Sequence, residues 1–205
     1  MNEVENAIDC FQQSIQIEPN DADYHNDLGY AFYYKMNFTE AMSCFEEAIR
    51  LNPKKAEAYN GYGLILADRK KTDQELKQSI EYFNKAIETD SSNALFYRNK
   101  GIAFYSMKMF QSAVDCFTQA ISNEPSNCEL YLYNVEALKN LSMNKEAKIC
   151  YKKARQLKPD SHELTKHWLN VNKKLLSLFN EEEIKDLDHN LTATTNQQSL
   201  LVEVT

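Results

Sequence analysis

The sequence has few of the residues that interrupt helices, with only four glycines and four prolines among 205 residues. It also has no excess of positive charge, because 30 acidic side chains against 23 lysines and arginines give a net charge of −7. Nucleic acids and anionic membrane surfaces require a basic face, so we expect neither as a partner. No apolar run approaches the roughly 18 residues that cross a bilayer, so we expect no membrane insertion.

The N-terminal stretch "MNEVENAIDCF" carries acidic residues where a signal or transit peptide needs basic ones. We therefore expect a soluble, helical protein of the cytoplasm. Any association with the cytoskeleton or an organelle would then depend on its partners.

The usual signatures of catalysis are also missing. The sequence contains no phosphate-binding, dinucleotide-binding or nucleophile-elbow motif. Its four histidines do not form the i, i+4 pair, with an intervening glutamate, of a zinc protease. We expect no enzyme activity, no metal and no cofactor.

Four of the five cysteines, Cys10, Cys44, Cys116 and Cys150, follow one another at spacings of 34, 72 and 34 residues. Metal sites use close Cys pairs, and a disulfide framework would not place its members at equivalent points of a repeat. We expect each of the four to be a small, half-buried apolar residue on a helix.

All four prolines close similar segments: "FQQSIQIEP" (11–19), "FEEAIRLNP" (45–53), "FTQAISNEP" (117–125) and "YKKARQLKP" (151–159). The first and last pairs of prolines are 34 residues apart, and the middle pair is 72 apart, which is two periods plus four residues. A constant period of this length is the signature of a stacked repeat protein. One unit therefore lacks its proline and one carries four extra residues.

Small and aromatic residues recur in the same register. The first helix of three units contains Gly29, Gly63 and Gly101. The second helices share alanines and one aromatic residue per unit, namely Ala41, Ala48, Ala113, Ala120, Ala147 and Ala154 with Phe45, Phe83, Phe117 and Tyr151. With the closing proline, this pattern resembles the tetratricopeptide repeat (TPR) family. The resemblance covers residues 1–179 and implies an all-α, right-handed solenoid of antiparallel helix pairs with a C-terminal capping helix.

The register predicts the domain organisation. The segments are a half repeat at 1–21, full repeats at 22–55, 56–93, 94–127 and 128–161, a capping helix at 162–179 and a polar tail at 180–205. Helices are expected near 3–18, 22–35, 38–51, 56–70, 73–89, 94–107, 110–122, 128–141, 144–157 and 161–179, within two or three residues.

The four extra residues precede the second helix of the 56–93 repeat. Because four residues are about one helical turn, we expect that helix to be one turn longer at its N-terminus. The segments "NFTE" (37–40) and "TDQE" (72–75) have the spacing of a capping box and predict N-caps at Asn37 and Thr72.

The resemblance also implies a binding surface, because the first helix of each TPR unit lines the inner, concave face that binds protein partners. The candidate contact residues on that face are Asn26, Asp27, Tyr30, Tyr33, Tyr34, Asn60, Leu64, Arg98, Asn99, Ile102, Tyr105, Tyr133 and Glu136. Acids on the face outnumber bases six to two, counting Asp23, Asp27, Glu57, Asp68, Glu129 and Glu136 against Arg98 and Lys139. We therefore expect a peptide or helical segment of a protein partner, basic or apolar in character.

Two known uses of the family bear on these positions. The clamp for a C-terminal carboxylate has Lys and Asn on the first helix of one unit, Asn on the next unit, and Lys and Arg on a third. The matching positions here hold Asn26 and Tyr30, then Gly61, then Leu95 and Asn99, so no clamp is expected. A ladder of one asparagine per repeat, which holds a peptide backbone, is approached by Asn26, Asn60 and Asn99, although these do not all share one slot.

Three functions stay open at this point. The chain could be an adaptor or scaffold that holds a partner segment in its groove. It could be a constitutive subunit of a large assembly, held by its edges and its C-terminal tail. It could also be the regulatory array of a longer enzyme.

Overall fold

A computed structural model describes residues 3–69 and 72–157 of the chain. These residues form nine helices and no strand: α1 (Glu3–Ile17), α2 (Ala22–Tyr34), α3 (Phe38–Leu51), α4 (Ala56–Arg69), α5 (Asp73–Thr89), α6 (Ala94–Ser106), α7 (Phe110–Asn123), α8 (Cys128–Asn140) and α9 (Asn144–Leu157). Each of them begins and ends within one residue of its predicted position. The all-α fold is confirmed, whereas the expected capping helix and tail lie outside the described residues.

The chain divides into two compact units, one up to Glu124 and one from Pro125 onward. In the first unit, α2 pairs with α3, α4 with α5 and α6 with α7, and consecutive pairs also contact one another. We call α2, α4, α6 and α8 the A helices, and α1, α3, α5, α7 and α9 the B helices. Within the first unit α2 contacts α4 and α4 contacts α6, so its A helices form one continuous layer. In the second unit α8 pairs with α9.

The phenylalanines of the B helices are the centre of each packed pair. Phe45, Phe83 and Phe117 are at most 1% exposed. A Cβ atom placed on Gly29 would lie 2.7 Å from the ring of Phe45, and one on Gly101 would lie 2.5 Å from the ring of Phe117. Glycine costs about 1 kcal/mol relative to alanine within a helix. It occurs at these positions because a larger residue would collide with the ring. The six recurring alanines are also buried, as expected.

The longer second helix of the 56–93 repeat is confirmed. Helix α5 has 17 residues, whereas α3 and α7 have 14. Its N-cap is Thr72, whose hydroxyl accepts a hydrogen bond from the backbone N–H of Glu75 at 3.2 Å.

Asn37 is the N-cap residue of α3, as predicted, but its side chain makes no capping hydrogen bond, so the predicted capping box does not form there. The preceding Met36 has a positive φ of 62°, and Asn37 has ψ of 72°. An N-cap side chain usually needs an extended backbone to reach the first amides of the helix, as Thr72 has with ψ of 154°. The tight turn before α3 does not provide that geometry.

The cysteines follow the repeat with one departure. Cys44 and Cys150 are half-buried and Cys116 is buried, but Cys10 is exposed. Cys44 packs against the cluster of Ile8, Leu28 and Ala31, which joins α3 to the preceding B helix and to α2. In the described helices no B helix precedes α1, so Cys10 has no equivalent neighbour.

Candidate partner-binding surface

A partly buried chain of hydrogen bonds connects the three A helices of the first unit. The Nδ2 of Asn99 on α6 donates to Oδ1 of Asn60 on α4 at 2.8 Å. The Nδ2 of Asn60 donates to the hydroxyl of Tyr30 on α2 at 3.1 Å, and that hydroxyl donates to the backbone carbonyl of Glu57 at 2.9 Å. Because a satisfied polar network in the interior specifies one arrangement of its elements, it holds α2, α4 and α6 in register.

This network corrects part of the predicted surface. Asn26, Asn60 and Asn99 are only 4%, 0% and 4% exposed, so they lie inside the layer rather than on an open face. Asn99 donates to Asn60 and Asn60 donates to Tyr30, and so these asparagines do not present the ladder that would hold a peptide backbone. The small and apolar neighbours of Asn60 on α4 indicate that this residue is buried, but helical spacing alone does not separate the buried face of the helix from its exposed face.

Tyr30 and Tyr33 are half-buried and both hydroxyls are used within the protein. Tyr33 donates to the carboxylate of Asp68, which joins α2 to α4 a second time. Burial raises the pKa of Tyr30 to about 12, with the nearby charge of Glu57 adding to the effect and the hydrogen bond from Asn60 opposing it. Burial and the hydrogen bond to Asp68 also raise the pKa of Tyr33. Both phenols therefore remain neutral donors at physiological pH.

Tyr34 differs from these two, because it is 72% exposed. Its ring packs edge-on against the ring of Tyr33, with the centroids 5.6 Å apart. It is thus a large aromatic side chain held in place at its base and open to solvent above.

The A-helix face is less acidic than the count of its acidic and basic residues predicts. Lys55, in the loop between α3 and α4, lies 2.7 Å from Asp23 and 3.4 Å from Glu57. Burial by itself would lower the pKa of Lys55, but the hydrogen bond with Asp23 and the charge of Glu57 outweigh it and raise the pKa. Together with the use of Asp68 by Tyr33, this pairing makes the face less acidic than predicted. Lys55 was not among the predicted residues because it lies outside the helical register.

Helices α4 and α6 contribute apolar side chains to the same face. Leu64, Ile102 and Tyr105 are half-buried, and Leu95 is 39% exposed. Arg98 is also half-buried, and its Nε is buried without a hydrogen-bond partner among the described residues.

In the second unit, Tyr133 on α8 is 37% exposed, and Glu136 lies 3.4 Å from Lys139 on the same helix. Asn134, which was not predicted from the sequence, is buried, and its Nδ2 is 3.8 Å from the Sγ of Cys150. These residues belong to the pair α8 and α9 of the second unit.

Over residues 3–69 and 72–157, no group of His, Cys, Asp and Glu side chains has an arrangement that could hold a metal ion. None of the helices in these two ranges combines the length and the apolar character that a membrane crossing demands.

Two family models match the N-terminal part of the sequence. A TPR repeat model matches residues 1–35, and a tetratricopeptide repeat model matches residues 26–94. The chain contains tetratricopeptide repeats, which these models place in residues 1–94. TPR proteins are generally non-catalytic scaffolds for protein–protein interaction. No curated protein matches the sequence significantly.

Solved TPR structures show the same solenoid fold. TTC0263, a thermophilic TPR protein from Thermus thermophilus, superposes with a TM-score of 0.69 at 16% identity, over 82% of this chain and 89% of that one. MamA gives 0.66 at 20% identity, over 78% of this chain and 92% of that one. YrrB, described as a TPR protein with an unusual peptide-binding site, gives 0.62 at 19% identity, over 82% and 84%. At these identities the likeness concerns the fold alone.

Proposed function

We propose that this TPR chain is a non-catalytic scaffold or adaptor that binds a segment of a partner protein along the A helices of its first unit. The observation that carries the proposal is the layer α2–α4–α6, which is locked internally by the Asn60 network and exposes apolar side chains outward. Extended inner surfaces of this kind are how repeat proteins bind their partners.

The rigidity of the layer supports this use. A surface that is already ordered loses less conformational entropy when a partner binds than a flexible one does. The Tyr30, Asn60 and Asn99 side chains order the layer before any partner arrives, because these hydrogen bonds are made between its own helices.

The chemistry of the face favours a segment with apolar anchors. Tyr34 and Leu95 are exposed, and Leu64 and Ile102 are half-buried beside them in the register of the repeat. Basic residues of a partner would add to the affinity through Asp27, which is exposed. Because Lys55 already pairs with Asp23 and Glu57, apolar contact should contribute more than charge, and the affinity should fall only modestly as salt is raised.

The partner segment is proposed to be a peptide or a single helix. The structural similarity to YrrB, a protein described as having an unusual peptide-binding site, supports a peptide by analogy of fold only. A cytoplasmic location and membership of a multiprotein complex belong to the same proposal and follow from the composition and the family.

Affinity capture with matched surface variants tests the proposal. Tyr34→Ser and Leu95→Ser each remove an exposed apolar side chain from the A-helix face, whereas Ile17→Ser and Ile149→Ser remove one from α1 and α9. All four positions are exposed, so the helical circular-dichroism signal should be unchanged in each. Quantitative mass spectrometry of the captured proteins should show one partner that is lost with the first two variants and kept with the second two. Equal capture by all four variants would contradict the proposal.

The alternative of an assembly subunit held by its tail concerns residues 180–205, and the regulatory array of an enzyme concerns a longer chain. Neither is favoured by an observation on the described residues.

A further inference from the structure

Helix α1 is a B helix, and one of its sides forms the wall of a groove. Its Ala7, Phe11 and Pro19 occupy the register of Ala41, Phe45 and Pro53. Phe45, Phe83 and Phe117 each pack on the glycine of the A helix that precedes them in the same repeat. Phe11, in contrast, is half-buried, whereas its three counterparts are at most 1% exposed.

A groove of about 390 Å³ lies beside Phe11. One wall is α1, with Val4, Ala7 and Phe11, and the other is α2, with Tyr30, Ala31 and Tyr34. The opposite side of α1 is anchored, because Ile8 forms a buried cluster with Leu28 and Ala31. The groove is therefore a formed surface between two packed helices.

Asn26 precedes the groove residue Asp27 and has the register that pairs neighbouring A helices. In the next repeat, Nδ2 of Asn60 donates back to a hydroxyl on the preceding A helix. Asn26 has the same register, but its Nδ2 donates at 3.1 Å to the neighbouring Asp27. An incoming A helix with a hydroxyl at the place of Tyr30 would restore the bond of the repeat, whereas one with an apolar residue there, such as Ile102 of α6, would leave Asn26 bonded to Asp27.

The charge of the rim restricts the occupant further. Glu3 and Asp27 border the groove and both are exposed. Acidic groups at the mouth of an apolar groove favour lysine or arginine on the bound segment.

From these observations we infer that the groove between α1 and α2 binds one amphipathic helix of a partner protein, seated as an A helix. The bound helix has glycine or alanine opposite Phe11, and lysine or arginine near Glu3 and Asp27. The groove does not include the α4 and α6 part of the A-helix face. It shares Asp27, Tyr30 and Tyr34 with the α2 part of that face.

The protein's own A helices provide a probe and its control. Helix α6, "ALFYRNKGIAFYS", has Gly101 in the required register, two bases and no acid. Helix α2, "ADYHNDLGYAFYY", has Gly29 in that register but two acids and neither lysine nor arginine. Fluorescein-labelled peptides of the two sequences, stapled on the side away from the glycine because short free helices are marginal, would be titrated with the full chain by fluorescence anisotropy.

The α6 peptide is expected to bind, and the α2 peptide to bind about tenfold more weakly or worse because of its acids. An α6 peptide with Gly101→Leu should lose about tenfold or more, since the added side chain meets the ring of Phe11. On the protein, Ala7→Trp fills the groove and should abolish binding, and the exposed Glu3→Lys should weaken it without affecting folding. Ile17→Trp, on the same helix but away from the groove, and Leu95→Ser, on the A-helix face, should leave binding unchanged.

Three results would overturn the inference. The α6 peptide could fail to bind the native protein, or it could bind the Ala7→Trp and Glu3→Lys variants as tightly as it binds the native protein. Sedimentation of the chain alone could also reveal an oligomer that Ala7→Trp dissociates, in which case a second copy occupies the groove. Leu95 does not line the groove, so Leu95→Ser tests only the proposed function on the A-helix face. A failure of the groove to bind a helix can therefore be distinguished from a failure of the proposed function.

Discussion

At the scale of single residues, the packing of Phe45 explains why glycine recurs in the A helices. Its ring lies between Gly29 of its own repeat and Gly61 of the next, and a Cβ atom on Gly61 would be even closer to the ring than one on Gly29. The ring is thus enclosed on two sides and cannot move away from an added methyl group.

We predict that Gly61→Ala destabilises the protein. Alanine should gain about 1 kcal/mol of helix propensity, but overpacking against an enclosed ring costs about 1–3 kcal/mol. Urea unfolding followed by circular dichroism would measure the free energy of unfolding. The double variant Gly61→Ala with Phe45→Leu serves as the control, because the smaller side chain makes room and should cost less than the two single changes added together. A free energy of unfolding that is unchanged or higher in Gly61→Ala would show that the ring is not enclosed.

The cysteines give a second prediction at this scale. Burial raises the pKa of Cys44 and of Cys116 to about 11. The thiolate is the reactive form, and a raised pKa leaves less thiolate at any pH below it. At about pH 8, near the usual pKa of a free thiol, iodoacetamide should therefore modify the exposed Cys10 first and these two much later. Time-resolved peptide mass spectrometry would follow the reaction, and equal rates at all three thiols would contradict the burial described for them.

At the scale of elements, the turn between an A helix and the following B helix has the same strained geometry in three repeats. Met36, Lys108 and Ser142 have positive φ angles of 62°, 60° and 60°, although none is glycine. A residue with a side chain loses about 1–2 kcal/mol in this left-handed region. The tight turn is nevertheless stabilised by backbone bonds, such as that from the N–H of Met109 to the carbonyl of Phe104 at 2.9 Å.

We predict that Lys108→Gly raises the free energy of unfolding. Relief of about 1–2 kcal/mol of strain should exceed the roughly 0.5–1 kcal/mol that glycine adds in unfolded-chain entropy. The matched control is Ser106→Gly at the end of α6, where the backbone is helical and glycine should lower stability by up to about 1 kcal/mol. Thermal unfolding of both variants tests the difference, and a lower melting temperature for Lys108→Gly would argue against strain at the turn.

The elements also show where sequence reasoning succeeds and where it fails. Helix positions could be predicted because the 34-residue register ties each helix to several equivalent residues, and the insertion before α5 was visible as a change in spacing. The burial of Asn60 and Asn99 could not be predicted, because a small rotation about the helix axis moves a residue from the exposed face to the contact between A helices. Lys55 lies in a loop, where the register carries no information.

At the scale of the whole molecule, the repeat creates more than a stack of helix pairs. The hydrogen bonds of Tyr30, Asn60 and Asn99 cross from repeat to repeat and align α2, α4 and α6. What this layer exposes, Tyr34 and Leu95 above all, is what a partner can contact. The central claim is that the inner face of the A helices, rather than the outer face of the B helices, is the binding surface.

Site-specific photo-crosslinking in cells tests that claim most directly. A benzophenone side chain would be introduced on the A helices at Tyr34, Leu64, Leu95 or Ile102, and on exposed positions of the B helices at Ser43, Glu81 or Thr118. The proposed function predicts crosslinks to one and the same partner protein from the A-helix positions and none from the B-helix positions. Crosslinks to a partner from the B helices alone would contradict it.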